Sequence, residues 1–317
     1  MNTEVLENNL KEARDAAARN PDDLQLQIAL GEAHFRLSHY DEALAAFERA
    51  IGHESTAAEA YSWMGRVYYH TGPLTKAFDA YRRAAKLDQK CTEAYFGLGL
   101  LYLWKVGNNE AAVEVLQEAL RHNPGDALLT TALGSAYAFS GQFDDAIAAL
   151  KRGIRLQPEN EFAYSWLADI YFHLGRYDDT IASCVRGSEI EDTHDAHRLM
   201  GYVFEWRGLH DEAIAQFETA ISLAPEDYEA RAALAGVYRA ANRPREAERQ
   251  YAIAHKLAME DDEYGQACFE AVSGNRNRAL DLLEVALHNQ PSKRNWARLD
   301  PEFASIKDDE RFQVLSA

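Results

Sequence analysis

The sequence has little cysteine and little proline, and it has no long apolar run. Three cysteines, each about ninety residues from the next, give neither the density of a disulfide scaffold nor the CxxC spacing of a metal site. Eight prolines and the lack of a Ser/Gly-rich stretch leave no obvious linker between domains. No stretch reaches 18 apolar residues and the first residues are polar and acidic, so we expect a soluble, cytoplasmic protein without membrane insertion.

Positive charge is also scarce. The chain carries 33 Lys and Arg against 51 Asp and Glu, which gives a formal net charge of −18. A protein that binds a nucleic-acid backbone needs a Lys/Arg-rich surface, so this balance argues against nucleic acid as a partner. It favours a neutral or basic protein partner instead. The 47% of hydrophobic residues is enough to form a folded core.

What the sequence does contain is a period of about 34 residues. An apolar residue precedes each recurring small residue, and an aromatic residue or histidine follows it three positions later. The second half of each unit carries a triplet at i, i+4 and i+7, such as Ala77, Tyr81 and Ala84. Both halves have the spacing of one helical face, which predicts seven helical hairpins. The recurring small residues are Gly31, Gly65, Gly99, Gly134, Ala168, Gly201 and Ala235.

Two segments carry a specific family pattern: YSWMGRVYYHTGPLTKAFDAYRRAA at 61–85 and LTTALGSAYAFSGQFDDAIAALKRGIRLQP at 129–158. The pattern resembles the tetratricopeptide repeat over about residues 24–261. The resemblance implies an all-α fold, a right-handed superhelical α-solenoid of seven to eight helical hairpins with capping helices at both ends. One residue inserted near Asn108 and one deleted near Asp192 are expected to bend the array.

The two ends of the chain depart from the repeat and are expected to cap it. Residues 1–23 predict an N-terminal capping helix, 262–293 a degenerate eighth repeat, and 294–317 a C-terminal capping segment that seals the open end of the stack. The apolar side chains expected to form that seal are Trp296, Leu299, Phe303, Ile306, Phe312 and Leu315. The predicted repeats between the ends are 24–57, 58–91, 92–126, 127–160, 161–193, 194–227 and 228–261.

The stretch FGLGLLYLWKVG, residues 96–107, has apolar residues around more of its circumference than one buried stripe requires. In the family that the pattern resembles, the first helix of each repeat lines a concave wall, and the surplus residues fall on that wall. A large apolar patch of this kind marks an interaction site. The resemblance predicts that a partner is bound by Phe35, Arg66, Tyr69, His70, Phe96, Leu100, Leu103, Trp104, Phe139, Phe162, Asp169, Phe172, His173, Arg198, Tyr202 and Trp206.

The predicted function is a non-enzymatic scaffold that binds an apolar or amphipathic segment of a partner protein, of basic and apolar character, in an aromatic-lined groove. One alternative is a regulator or assembly component that uses the groove for homo-oligomerisation or for sensing a small peptide. Another is that the groove aromatics pack against neighbouring repeats or against the protein's own tail.

No catalytic motif is present in the sequence. Gly97-Leu98-Gly99 lacks the third glycine and the preceding strand of a nucleotide loop, and HExxH, GxSxG and Walker sequences are absent. His194 and His197 have the spacing of a small metal site, but polar residues are expected at a repeat junction anyway. We therefore predict no enzymatic activity, no cofactor and no metal.

Overall fold

The computed structural model describes residues 3–52 and 54–316, and this part of the chain is built from helices without a β-strand. It divides into two compact units, unit 1 (Met1–Leu133) and unit 2 (Gly134–Ala317). Consecutive helices pair as antiparallel hairpins inside each unit. The predicted all-α hairpin-repeat fold is confirmed.

Unit 1 contains an N-terminal helix followed by three hairpins. The N-terminal helix packs Leu10 and Ala17 against Leu30 and Ala33 of the first hairpin. The first helix of the third hairpin continues into a π-helix, Leu101–Val106. The α-helices are α1 (Thr3–Arg19), α2 (Leu24–Arg36), α3 (Tyr40–Ala50), α4 (Glu54–Thr71), α5 (Leu74–Leu87), α6 (Thr92–Leu100) and α7 (Asn109–His122).

The division between the units falls within α8 (Ala127–Phe139). Unit 2 continues with paired helices and ends in a short 3₁₀ turn, Pro301–Phe303, and one last helix. Its helices are α9 (Phe143–Leu156), α10 (Glu161–His173), α11 (Tyr177–Ser188), α12 (His194–Trp206), α13 (His210–Leu223), α14 (Tyr228–Ala240), α15 (Pro244–Ala258), α16 (Glu263–Val272), α17 (Arg276–Asn289), α18 (Lys293–Ala297) and α19 (Glu310–Leu315).

The recurring glycines are explained by close contact with a large residue of the paired helix. A Cβ atom on Gly31 would lie 2.3 Å from the ring of Phe47, and one on Gly201 would lie 2.6 Å from Phe217. Both rings are fully buried. A larger residue at these glycines would therefore push the two helices of the hairpin apart.

The two irregular repeats are accommodated locally. The extra residue near Asn108 lies next to the π-helix, whose wider turn holds one more residue than an α-helical turn, and Gly107 ends it with a positive φ of 73°. Near Asp192, helix α11 ends at Ser188 and five residues precede α12. Both changes in repeat length are therefore absorbed within a helix or at its end.

The C-terminal segment packs on the last hairpin, α16 and α17. Phe303, Ile306 and Phe312 are buried with Leu280 and Leu283 in one apolar cluster. Burial of these side chains covers the apolar face that the last hairpin would otherwise expose. The segment also reaches the wall of first helices in unit 2.

Candidate partner-binding groove

An open groove of about 860 Å³ lies along the first helices of unit 1. Helices α2, α4, α6 and α8 all contribute to its lining, because the first helices of successive hairpins lie side by side. Aromatic, aliphatic and charged groups alternate along it. Among the lining residues are Glu32, Glu59, Trp63, Arg66, Tyr69, His70, Glu93, Phe96, Leu100 and Leu128.

An aromatic pair carries a cation at one end of this groove. The rings of Phe35 on α2 and Trp63 on α4 meet edge to face, with centroids 5.6 Å apart. The guanidinium carbon of Arg66 lies 5.1 Å from the centroid of Trp63 and 5.4 Å from that of Phe35. The ring of His70 lies 5.5 Å from Phe35. The guanidinium is therefore held over the aromatic pair by cation–π attraction.

Carboxylates give the groove a negative character. Burial raises the pKa of Glu32, and the nearby charge of Glu59 adds to this effect. Gln25 donates a hydrogen bond to Glu59 over 3.4 Å. Among the described residues, no carboxylate lies within salt-bridge distance of Arg66, so its guanidinium forms no fixed ion pair there.

The predicted residues of the third repeat separate into lining and buried ones. Phe96 and Leu100 are half-buried and line the groove. Trp104 is 37% exposed, whereas Leu103 is only 2% exposed. The assignment of Leu103 to the wall differs from the structure because Leu103 lies in the π-helix, where the residue register departs from that of the α-helix used for the prediction.

In unit 2 part of the wall of first helices is covered by the chain's own C-terminal segment. We call residues 293–303 the strap. Trp296 of the strap packs on Trp166 and Phe139, with ring centroids 5.8 Å and 6.1 Å apart. Arg298 donates from Nη2 to the backbone oxygen of Phe139 over 2.8 Å. Phe139 is consequently only 2% exposed. Phe139 thus follows the alternative in which groove aromatics pack against the tail.

Arg198 holds the far end of the strap. Its Nε lies 3.1 Å from Glu302, and its two terminal nitrogens lie 2.7 Å from Asp195, 3.0 Å from Asp227 and 3.0 Å from Glu229. One guanidinium thus faces four carboxylates. A buried arginine with this set of partners is a fixed internal ion cluster.

Two more predicted wall residues are buried beneath the strap region. Tyr202 donates its hydroxyl to Glu302 over 3.3 Å, and Phe172 lies 6.4 Å from the ring of Tyr202. Both side chains are buried. Phe139, Phe172, Tyr202 and Arg198 therefore contact other parts of the same chain, which differs from the expectation that they face an open groove.

Asp169 lines a cavity of about 350 Å³ between the wall and the strap. Burial raises the pKa of Asp169 to about 8, and the negative charges of Asp195 and Glu302 add to the shift. Glu229 in the same cavity also has a raised pKa because it is buried. The cavity holds more acidic than basic side chains, so protonation of some carboxyls lowers the repulsion there.

Three predicted residues of unit 2 lie outside this covered region or at its edge. Phe162 is 71% exposed and Trp206 is 52% exposed. His173 is half-buried and lies 4.9 Å from the ring of Phe143. Burial lowers the pKa of His173, and the positive charges of Lys307 and Arg298 act in the same direction.

The wall prediction omitted three tryptophans. Trp63 and Trp166 occupy the same position of the repeat, two residues before Gly65 and Ala168 respectively. This recurrence was visible in the sequence and indicates a shared packing role. The role of Trp296 as a groove occupant had no such signal, because the strap lies outside the repeat period.

The histidines near Asp192 make polar contacts within unit 2. His197 lies 2.7 Å from Gln216 through Nδ1 and 2.9 Å from Asp192 through Nε2. Over residues 3–52 and 54–316, no group of three or more His, Cys, Asp or Glu side chains is arranged to hold a metal ion. None of the helices described has the length and apolar character to cross a bilayer.

Stacked hairpins with a glycine opposite a large ring, and first helices along one wall, define a tetratricopeptide-repeat protein. Family models agree: a tetratricopeptide-repeat model matches residues 8–52, and the model of the cilia and flagella-associated protein 70 C-terminal domain matches residues 51–271. The second match covers more than half of the chain. The chain belongs to this tetratricopeptide-repeat family.

Individual relatives share part of the chain. The BBSome complex member BBS4 of Bos taurus is 30% identical over 132 residues, which is 42% of this chain and 25% of that protein. The chain thus spans about a quarter of the length of that relative.

Two solved structures show the same fold. The APC/C hetero-tetramer Cut9–Hcn1 has a TM-score of 0.61 at 21% identity, with 73% of this chain and 46% of that chain covered. The type IV pilus biogenesis factor PilW has a TM-score of 0.57 at 19% identity, with 64% and 94% covered.

Proposed function

We propose that this protein is a non-enzymatic scaffold that binds an apolar or amphipathic segment of a partner protein in the groove of unit 1. The observation that supports it most directly is the open volume of about 860 Å³ lined by Trp63, Tyr69, Phe96 and Leu100. Half-buried aromatic and aliphatic groups that line an open groove are typical anchors for a bound segment.

The contrast with unit 2 supports unit 1 as the docking site. In unit 2 the strap packs on the wall of first helices. Its Trp296 contacts Phe139, and its Glu302 pairs with Arg198. A partner would have to displace these contacts. The APC/C hetero-tetramer Cut9–Hcn1, named as an assembly of two different proteins, offers a precedent for partner binding on this fold.

A display library of 15-residue peptides tests the proposal. Wild-type protein should enrich apolar or amphipathic sequences, and Phe96→Glu should lose most of them because it places a charge in the middle of the groove. Val314→Glu, on an exposed side chain of α19 in unit 2, is the matched control and should enrich the same sequences as wild type. Equal enrichment by the Phe96→Glu variant would contradict the proposal.

Measurement of the mass of the protein in solution across a range of concentrations distinguishes self-association through the groove from binding of a partner protein. A monomer at every concentration excludes self-association. A dimer that Phe96→Glu abolishes and Val314→Glu preserves would instead identify a second copy of this chain as the ligand of the groove. Circular dichroism must show that both variants remain folded.

A further inference from the structure

Each unit contains an aromatic platform made of one phenylalanine and one tryptophan on its wall of first helices. In unit 1, Phe35 and Trp63 meet edge to face at 5.6 Å, and in unit 2, Phe139 and Trp166 meet edge to face at 5.1 Å. In both cases the tryptophan stands two residues before the small residue of its repeat, and the phenylalanine comes from the preceding first helix. The two pairs present the same kind of apolar surface to whatever lies over them.

The occupants of the two platforms differ. Trp296 of the strap covers the pair in unit 2, and Arg66 of the wall itself covers the pair in unit 1. The repeat position of Arg66 is taken in unit 2 by Asp169. An aspartate has no cation to place over the rings, so the platform in unit 2 is available to a tryptophan.

We propose that the groove of unit 1 binds a partner segment with the chemistry of the strap, an aromatic side chain flanked by Lys or Arg, and that the aromatic ring replaces Arg66 on the Phe35–Trp63 pair. The inference rests on the proposed function, since it names the ligand class of the same groove.

Charge supports a basic segment as the occupant. The strap itself places Lys293 2.8 Å from Asp262 and Arg298 on a backbone oxygen, with Trp296 between them in the sequence. The groove of unit 1 offers Glu59 and Glu93 for comparable contacts. Partner cations can therefore pair with carboxylates on the groove wall while the ring is buried.

Arg66 can leave the platform at low cost. It is exposed, and among the residues that the structure describes it lies in no salt bridge that would break. The guanidinium loses its cation–π contact but gains water, and the incoming ring gains an edge-to-face contact of the kind seen with Trp296. Arg66 thus acts as a competitor of the ligand's aromatic side chain.

The strap of a second copy is not the favoured occupant. Within its own chain, the strap is held by the contacts of Trp296 with two rings, by the Arg298 hydrogen bond and by the Glu302 ion pair with Arg198. Phe303 and Phe312 fix the following residues on the last hairpin. Release of the strap would expose all of these groups, so a segment of another protein is the simpler ligand.

A labelled synthetic peptide with the sequence of residues 291–304, PSKRNWARLDPEFA, is the probe. Fluorescence anisotropy with the full chain should give saturable binding. The peptide with alanine in place of the tryptophan should bind about tenfold more weakly, as expected for loss of an aromatic anchor. The peptide with its Lys and Arg residues changed to Glu should also lose binding.

Protein variants locate the binding site. Arg66→Ala should bind the probe about threefold or more tightly, because the competitor is gone, whereas Glu59→Lys/Glu93→Lys should bind it about tenfold more weakly. Val314→Glu should match wild type. Equal affinity for the three peptides, or equal affinity of the Arg66→Ala and charge-reversed variants, would overturn the inference.

The result also separates this inference from the proposed function. If the probe fails to bind but the display library still yields ligands that Phe96→Glu abolishes, the groove is a docking site and only the ligand class is wrong. If neither the probe nor any library peptide depends on the groove, both proposals fail. A dimer that the probe dissociates would identify a second copy as the occupant and would likewise overturn the inference.

Discussion

Units 1 and 2 are built from the same kind of helical hairpin, yet the residues on their walls of first helices differ in accessibility. In unit 1, Phe96 and Leu100 line an open groove, whereas in unit 2, Phe139 and Tyr202 are buried under the strap. The difference does not come from the repeat itself, because both walls carry an edge-to-face pair of a phenylalanine and a tryptophan. It comes from the strap, which unit 2 contains and unit 1 does not, and from the presence of Arg66 or Asp169 at the same repeat position beside the platform.

The largest expected effect is on the ion cluster of unit 2. Arg198→Ala leaves four carboxylates without their shared cation, and removal of one partner of a buried ion pair costs about 3–5 kcal/mol. Chemical denaturation of Arg198→Ala and of the wild type gives the difference between their free energies of unfolding. The exposed Arg207, which pairs with Asp178, is the control, and Arg207→Ala should cost less than about 1 kcal/mol. Equal costs would mean that the strap is not held by Arg198.

A second prediction compares two neighbours on the first helix of the third repeat. Leu98→Ala should lower the free energy of unfolding by about 2–5 kcal/mol because it leaves a cavity around a buried side chain. Trp104→Ala should cost less than about 1 kcal/mol because the ring is partly exposed. If Trp104→Ala destabilises the chain as much as Leu98→Ala, then Trp104 belongs to the core and not to the accessible surface.

A third prediction removes the occupant of each platform. Trp296→Ala should destabilise unit 2 by about 1–3 kcal/mol because a half-buried ring leaves Trp166 and Phe139. Arg66→Ala should change stability by less than about 0.5 kcal/mol, since its side chain is exposed. Hydrogen exchange assigns each effect to its unit. Loss of protection at α8 and α10 in Trp296→Ala but not in Arg66→Ala would support the covering of the unit 2 platform by Trp296. Loss of protection there in Arg66→Ala but not in Trp296→Ala would contradict it.

A fourth prediction concerns a pH dependence of strap docking. The folded pKa of Asp169 is raised to about 8, so its contribution to stability is present below its ordinary pKa near 4 and is lost as the pH rises through about 8. Asp300 in the strap also has a raised pKa because it is buried next to Glu302. We therefore expect the amides of residues 293–303 to lose protection against hydrogen exchange between pH 5 and pH 9. The measured rates are first corrected for the intrinsic pH dependence of exchange. The Asp169→Asn variant should show a smaller change, and an identical profile would contradict the assignment.

Much of the fold could be predicted from the sequence because it is encoded locally. The glycines at Gly31 and Gly201 predict the close approach of Phe47 and Phe217, and these contacts lie within one repeat. The family resemblance placed Phe96 and Leu100 on the wall of first helices, and both line the groove. These features depend only on helix geometry and on one neighbouring helix.

The remainder depends on contacts that periodicity does not encode. Trp296 and Phe139 are far apart in the sequence, and nothing in the repeat pattern indicates that the strap crosses the wall. The burial of Leu103 depends on a π-helix, which no α-helical template anticipates. Candidate wall residues were therefore identified by position, while their accessibility depended on the tail and on one irregular turn.

The central claim is that the groove of unit 1 is accessible, whereas the strap covers Phe139 and Tyr202 on the wall of unit 2. Hydroxyl-radical footprinting of the full chain measures the accessibility of individual side chains directly. Tyr69, Phe96 and Trp104 should be oxidised much faster than Phe139 and Tyr202, and addition of the 291–304 probe should protect Tyr69 and Phe96. Oxidation of Phe139 and Tyr202 at the rate of Phe96 would show that the strap does not cover unit 2 and would contradict the account.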